Sequence, residues 1–414
     1  MGRRGTDGRV DRRDVLKAAG VAGVAGLSGC LSDIGGGGGD ETLTYGLLNP
    51  ISGAYSSLGP FQRHGAELAI QHLNESDDFE FEIEVARADT ETGASTATQA
   101  ASQLVEQSGA NYIMGAISSS VALALNSFAL ENEVIYNPGA AAIPITGSSC
   151  NEYVFRSETN TAQIAEGCAV WTLENLGSDV WFHIADYAYG QSVLREWRSR
   201  MEAADAEFNE VGVSRAELGA QNYESYISEI QNSDADVLVV GSTGGDFVRF
   251  GNQAASAGLG QDIDIMNTTA SFQALRAGLG TAGYGIYSGV RYNASLDTGW
   301  NPQFVEAYTS EFPDDGAPGN FARVGYDSIR MTAMGIQEAG TPDPTEVKDV
   351  LAGLETNSVL GPNRYRKCDQ QAMNPVWVGQ NVEPEEGEIA DVELLDQFSG
   401  EDAIPSCEST DCSL

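Results

Sequence analysis

Three observations in the sequence predict an α/β protein of two similar lobes. Short apolar runs alternate with amphipathic helical stretches at the spacing of βαβ units, which gives a parallel sheet flanked by helices on both sides. The alternation restarts past Val154-Phe155-Arg156 and produces a second lobe of the same kind. At 414 residues the chain is also too long for one ordinary core. A ligand should then bind beyond the carboxyl ends of the strands, in a cleft between the lobes.

In the first lobe Leu43 to Leu48 is a strand, followed by the loop Asn49-Pro50-Ile51-Ser52-Gly53 and a helix with Ala66, Ala69, Ile70 and Leu73 on its apolar face. Phe81 to Ala88 alternates apolar residues with glutamates as the next strand, and Ala97, Ala100, Ala101, Leu104 and Val105 mark a second helix. The most informative stretch is Asn111 to Leu130. Tyr112 to Ile117 reads as a strand, and from Val121 the apolar spacing changes to Val121, Ala124, Leu125, Phe128 and Ala129, which is helical. Ser118, Ser119 and Ser120 sit at the hand-over. Serine suits an N-cap, and unpaired N–H groups beside the hydroxyls make a corner able to bind anions. A simple cap is the plainer reading of the serines alone. Val134 to Tyr136 then leads into the small-residue loop Asn137-Pro138-Gly139-Ala140-Ala141.

The second lobe opens with a helix from about Ala162 to Asn175 and the strand Val180 to Ala185. The loop Asp186-Tyr187-Ala188-Tyr189-Gly190-Gln191 precedes a helix carrying Val193, Leu194, Trp197 and Met201. Strand, helix and strand recur at Glu210 to Val213, Tyr226 to Ile230 and Val237 to Val240, the last running into Gly241-Ser242-Thr243-Gly244-Gly245-Asp246. Helices return at Phe304 to Phe312 and Phe321 to Ala339, and an apolar strand at Val376 to Val378.

The N-terminus is an address. Arg12 and Arg13 lead into the uncharged apolar stretch Ala18 to Gly29, too short to span a bilayer, and residues 1–29 read as a twin-arginine export signal. Leu27-Ser28-Gly29-Cys30 resembles a lipoprotein cleavage box with Cys30 as the lipidated residue. Gly35 to Gly39, within residues 30–41, supplies a flexible tether. The mature protein is therefore expected outside the cell, anchored to the outer face of the membrane.

Removing residues 1–29 takes away six basic and three acidic residues, so the formal charge of −38 becomes −41, with 16 basic and 57 acidic residues left. Such a chain repels itself in dilute buffer, whereas molar salt shortens the screening length to about 3 Å and permits it. This predicts an extreme halophile. The acidic residues are spread rather than blocked, which argues against one basic partner, and nucleic acid is excluded. With Cys30 lipidated, Cys150, Cys168, Cys368, Cys407 and Cys412 allow at most two disulfides and leave one thiol; Cys407 with Cys412 is one possible pair. His64, His72 and His183 show no ligand spacing with the cysteines, so neither zinc nor any cofactor is expected.

From about Leu43 to Gln380 the chain resembles the type I periplasmic solute-binding proteins of the branched-chain amino acid group. The resemblance is carried, in order, by Tyr45 to Gly53, GAISSS ending at Ser120, NPGAAAIPIT, FRSETN, DYAYGQ, Ala254 to Leu259 and Gly325-Tyr326-Asp327. It implies three crossings, near Phe155, Tyr287 and Tyr365. Lobe I would be residues 42–155 with 288–364, lobe II 156–287 with 365–398, and 399–414 a cysteine-containing tail. The implied role is a monomeric substrate-binding protein of an ABC importer, not an enzyme, whose lobes close around a small polar solute and present it to the membrane subunits.

By the same resemblance Ser118, Ser119 and Ser120 form the corner that holds a solute carboxylate, with Ala140 and Ala141 contributing backbone. Tyr189 closes over the solute, and Thr243 and Thr269 stand on the loops that complete the floor. Two departures matter. Ala141 replaces the threonine usual in amino-acid binders, and no glutamate accompanies Asn267-Thr268-Thr269 to pair an α-ammonium. A desolvated cation without a carboxylate is costly. Either Asp186 or Asp246 substitutes, or the solute is an amide, a urea-like compound or a carboxylic acid without the amine.

Other chemistries fit less well. Gly278-Leu279-Gly280-Thr281-Ala282-Gly283 matches a dinucleotide fingerprint but follows a helical stretch and opens none, so it reads as turn glycine. Gly241-Ser242-Thr243-Gly244-Gly245 lacks serine at the place a nucleophile elbow needs it. An exported hydrolase would need a base, yet His64 and His72 fall on a predicted surface helix and His183 within a strand. A sensor ectodomain is the third class considered.

Overall fold

The computed structural model describes residues 41–414; the expected export signal, Cys30 and the expected tether up to residue 40 lie outside the described residues. The first lobe starts with β1 (Glu41–Asn49), α1 (Gly59–Asn74), β2 (Phe81–Asp89), α2 (Ala94–Ser108), β3 (Tyr112–Gly115), α3 (Ser119–Asn132) and β4 (Ile135–Pro138). Its strands are parallel, in the order β2-β1-β3-β4. β3 and β4 are buried along their whole length, as continuous apolar strands covered on both faces must be.

The second lobe begins with α4 (Thr161–Asn175), β5 (Asp179–Ala185), α5 (Ala188–Ala203), β6 (Asn209–Ala216), α6 (Glu224–Gln231), β7 (Val237–Gly241), α7 (Gly244–Ser256), β8 (Asp264–Asn267), α8 (Gln273–Leu279) and β9 (Tyr287–Val290). The chain returns to the first lobe as α9 (Asn301–Glu311), α10 (Asn320–Ala339), α11 (Pro344–Leu351) and the hairpin β10 (Glu355–Ser358) with β11 (Gly361–Arg364). It then re-enters the second as β12 (Val376–Val382) and β13 (Asp391–Phe398). The seven-stranded sheet has the order β13-β12-β9-β8-β7-β5-β6, with β12 antiparallel to both β9 and β13.

This placement corrects the boundary expected after Tyr287. Ser288, Gly289 and Val290 pair with β12, so the change of sheet falls after Val290. α10 packs on α1 at backbone distance: a Cβ at Gly65 would collide with Ala322 O, and one at Gly325 with Gln62 O. That close approach is the reason for the glycine in Gly325-Tyr326-Asp327.

The cysteine pairing, open in the sequence, is not the possible tail pair. Cys407 does not pair with Cys412; the bridges are Cys150–Cys412 and Cys368–Cys407, and Cys168 is the buried thiol that remains. The tail packs a short helical turn, Gly400–Ala403, against α4, and its two cysteines reach back to different parts of the chain. The expectation of a solvated histidine face fails as well. His64 Nδ1 lies 2.7 Å from Asp315 Oδ2 and its ring stacks on Phe312, while His72 Nδ1 lies 2.9 Å from Tyr326 Oη, because this face of α1 packs against α9 and α10.

Asp327 is fully buried on α10 and accepts from Val359 N–H at 2.9 Å. Burial pushes its carboxyl up to about 6, although Arg323 and the Val359 amide pull the other way. A folded pKa above the unfolded one means that the stability this group contributes is complete below its ordinary value and is lost as pH rises through the folded one. Relative to Asp327→Asn, the wild type should therefore lose about 3 kcal/mol of stability between about pH 4 and about pH 7, measured by denaturation at constant high salt.

Candidate functional site

The loops that leave the carboxyl ends of both sheets meet. β3 delivers the serine corner and β4 the loop that includes Ala140 and Ala141, while β5, β7 and β8 deliver Tyr187, Ser242 with Thr243, and Thr268 with Thr269. One buried apolar cluster spans the two lobes: Tyr55, Leu58, Ile117 and Phe321 from the first pack with Phe247, Ala270 and Phe272 from the second. The Tyr55 hydroxyl bonds that of Tyr187. Gly244 has φ +59°, and a Cβ there would stand 2.8 Å from Tyr55 Cδ1, so only glycine lets the lobes come this close.

At the serine corner the chain turns through Gly115 at φ +139° and Ala116 at φ +56°, an uncommon conformation for a residue with a Cβ. Ser118 stands at the N-cap of α3 and is buried, but its side chain makes no cap hydrogen bond, so the serine run is not explained by capping. Ser119 Oγ accepts from Ala142 N–H at 3.2 Å, and Ser120 is exposed on the first turn. Ala140 and Ala141 are buried, and Ile143 N–H donates to Ser192 Oγ of α5 at 3.0 Å.

Behind this loop lies Arg156, wholly buried. Its Nη1 donates to Ala140 O at 3.1 Å and to Ala142 O at 2.6 Å, and its Nε to Gln371 Oε1 at 2.6 Å. These partners are carbonyl and amide oxygens rather than a carboxylate. Burial pulls the guanidinium down to about 9, partly opposed by Asp369 and Glu158, which leaves it cationic at neutral pH.

On the facing side Tyr189 lies in the first turn of α5 rather than in the preceding loop, because α5 already starts at Ala188. Its hydroxyl is 2.6 Å from Thr268 Oγ1 and accepts from Arg291 Nη2 at 3.1 Å. Arg291 Nη1 pairs with Glu158 Oε1 at 2.9 Å, and Glu158 Oε2 accepts from Asn320 Nδ2 at 2.8 Å. Both charged groups are buried. Thr269 Oγ1 lies 3.3 Å from Ser242 O and 3.1 Å from Asn267 Oδ1, and is thereby engaged within its own lobe. The hydroxyls of Ser242 and Thr243 are buried and have no partner.

Of the two aspartates named as substitutes for a missing glutamate, one is fully engaged and the other is solvent-exposed. Asp246 accepts from Gly219 N–H at 2.9 Å and pairs with Arg249. Asp186 is exposed and accepts from Gln191 at 2.9 Å.

Residues 42–387 match the family model described as periplasmic binding protein. The chain belongs to this family. Among its relatives is a Leu/Ile/Val-binding protein homolog of Brucella melitensis, 24% identical over 334 residues, which are 78% of this chain and 87% of that protein. The fold is shared with an amino acid ABC transporter substrate-binding protein of Pseudomonas fluorescens (22% identity, TM-score 0.80, 90% of this chain and 99% of that one). It is shared too with a Rhodopseudomonas palustris solute-binding protein in complex with benzoate (22%, 0.77, 86% and 98%). A leucine-binding protein of Thermotoga maritima is a further neighbour (19%, 0.74, 87% and 99%). Periplasmic binding proteins of this kind are solute-binding components of ABC transporters and not enzymes. His183 is buried against Phe250 with Nδ1 2.8 Å from Ser214 Oγ, and burial lowers it to about 4.

Sequence reading missed Tyr55, Glu158, Arg291 and Asn320 as cleft residues. Glu158 lay inside the FRSETN motif, and Arg291 follows an apolar strand directly, a costly place for a cation unless it has a buried partner. Glu158→Gln keeps the shape but leaves Arg291 buried without its counter-charge. Its expected cost is about 3–5 kcal/mol, read from unfolding of both proteins under one salt condition.

Proposed function

We infer that this periplasmic binding protein is the extracellular, lipid-anchored solute receptor of an ABC importer, and that closing its two lobes on a small polar solute is the signal the membrane subunits read. The observation that carries this reading is the apolar cluster shared by the lobes, with Tyr55 set against Tyr187 and Gly244. A surface of that kind forms only when the lobes close, and a solute bridging them shifts the equilibrium by its preference for the closed form. Ser118, Ser119, Ser120, Ala140 and Ala141 are proposed to line the solute from the first lobe, with Tyr189, Thr243 and Thr269 on the facing wall.

The names of the relatives point to branched-chain or related amino acids as the solute class. The benzoate complex among the structural neighbours favours a second class, carboxylic acids without an amine. For the anchor, the LSGC sequence ending at Cys30 and the glycine tether support lipidation, and the acidic excess supports a halophilic cell surface. Among the described residues no helix is long and apolar enough to cross a membrane.

The experiment is to compare wild type with Cys30→Ser in the native host. The wild type should fractionate with membranes and the variant should appear in the medium. A wild type that is already free in the medium would remove the anchor. Deletion of the gene should in parallel abolish uptake of one small solute; unchanged uptake across amino acids and organic acids would remove the receptor role.

A further inference from the structure

The buried charges around the cleft do not balance. At the junction of the lobes the buried cations are Arg156, Arg291 and Arg323, with Arg366 nearby, and the carboxylates are Glu158, Asp327 and Asp369. Arg291 is matched by Glu158, Arg323 faces Asp327 at 3.9 Å, and Arg366 is paired with Asp369. Arg156 is the cation left over. In a chain of formal charge −38 the floor of the cleft therefore carries one net positive charge, and it is applied directly behind the loop Ala140 to Ala142.

The cleft also holds unpartnered groups able to donate to an anion, one of them a pure donor and two of them hydroxyls. Arg291 Nε is buried and unpartnered, as are the hydroxyls of Ser242 and Thr243. No carboxylate oxygen is correspondingly available. Both oxygens of Glu158 and both of Asp246 are engaged, and Asp186 is solvated. The walls that meet around these groups are apolar and aromatic. A zwitterion would leave the floor's charge uncompensated and would bury an ammonium with nothing but hydroxyls to receive it. A monoanion removes the imbalance.

We propose that the solute is a monocarboxylic acid with an apolar body and no ammonium group, its charge drawn by Arg156 through the Ala140–Ala142 loop and its oxygens received by the unpartnered donors of the cleft. This rests on the receptor reading above and names the substrate class of that site. Arg156 acts through the loop carbonyls it holds, so it is a positioning residue, whereas Arg291, Ser242 and Thr243 offer direct contact.

The test needs no variant. Leucine and 4-methylpentanoate share a carbon skeleton and differ by the α-ammonium. Melting of the wild-type protein in multimolar salt is followed against each, with benzoate as a bulkier acid, 3-methylbutylamine as the amine alone, and acetamide and urea as neutral solutes. Binding to the folded form raises the midpoint. The expected result is a rise with 4-methylpentanoate or benzoate at a concentration about 100-fold below any at which leucine acts, and no rise with the amine. Stabilisation by leucine at equal or lower concentration, or by acetamide or urea alone, overturns the proposal and leaves the receptor reading intact. Silence from every probe overturns the proposal and counts against the receptor reading as well.

Discussion

The structure depends on a buried knot of arginines where the chain passes between its lobes. Glu158 and Arg291 come from the first two passages, and Gln371 and Asn374 from the third, and all of them are tied together. Gln371 Nε2 donates to Glu158 O at 2.8 Å, Asn374 Nδ2 to Ser157 O at 2.8 Å, and Arg323 Nη1 to the same Ser157 O at 2.9 Å. Ion pairs out of water are poor sources of stability, because desolvation offsets most of their attraction. Their value here is geometric. Three passages of chain between the lobes are held in one register by partners that cannot be exchanged for water without leaving a buried charge.

From that knot the order of the site follows. Arg156 fixes the carbonyls of the small-residue loop, Arg291 fixes Tyr189, and Tyr189 fixes Thr268. The candidate residues on both lobes are thus oriented by the junction and not only by their own loops. Tyr55, Leu58, Ile117 and Phe321 are buried against the second lobe, an apolar contact that exists where the lobes meet. The two disulfides fasten Cys412 to Cys150 and Cys407 to Cys368, so the end of the chain is pinned to the same region.

Much of this was legible in the sequence. The change of period between Tyr112 and Ala129 correctly located the corner at Ser118 to Ser120, since local spacing is what decides strand against helix. The strands Val180 to Ala185 and Val237 to Val240 were equally plain, being short apolar runs bounded by polar loops. The charged junction was not, because Glu158 and Arg291 are 133 residues apart and only the fold makes them neighbours. The same is true of Cys150 and Cys412, separated by 262 residues, a pairing that the sequence left open beside the possible pair Cys407 with Cys412. His64 and His72 misled for a related reason. Their spacing on α1 says which face they share but not that α9 and α10 will cover it.

Lobe closure driven by a solute is the central claim, and small-angle X-ray scattering in multimolar salt measures it most directly. The radius of gyration of the mature protein should fall when the solute that stabilises it is added at saturation, and the scattering of the bound form should match the closed arrangement with Tyr55 against Gly244. A radius that stays the same on saturation, with the free protein already matching the closed arrangement, would contradict closure as the signal.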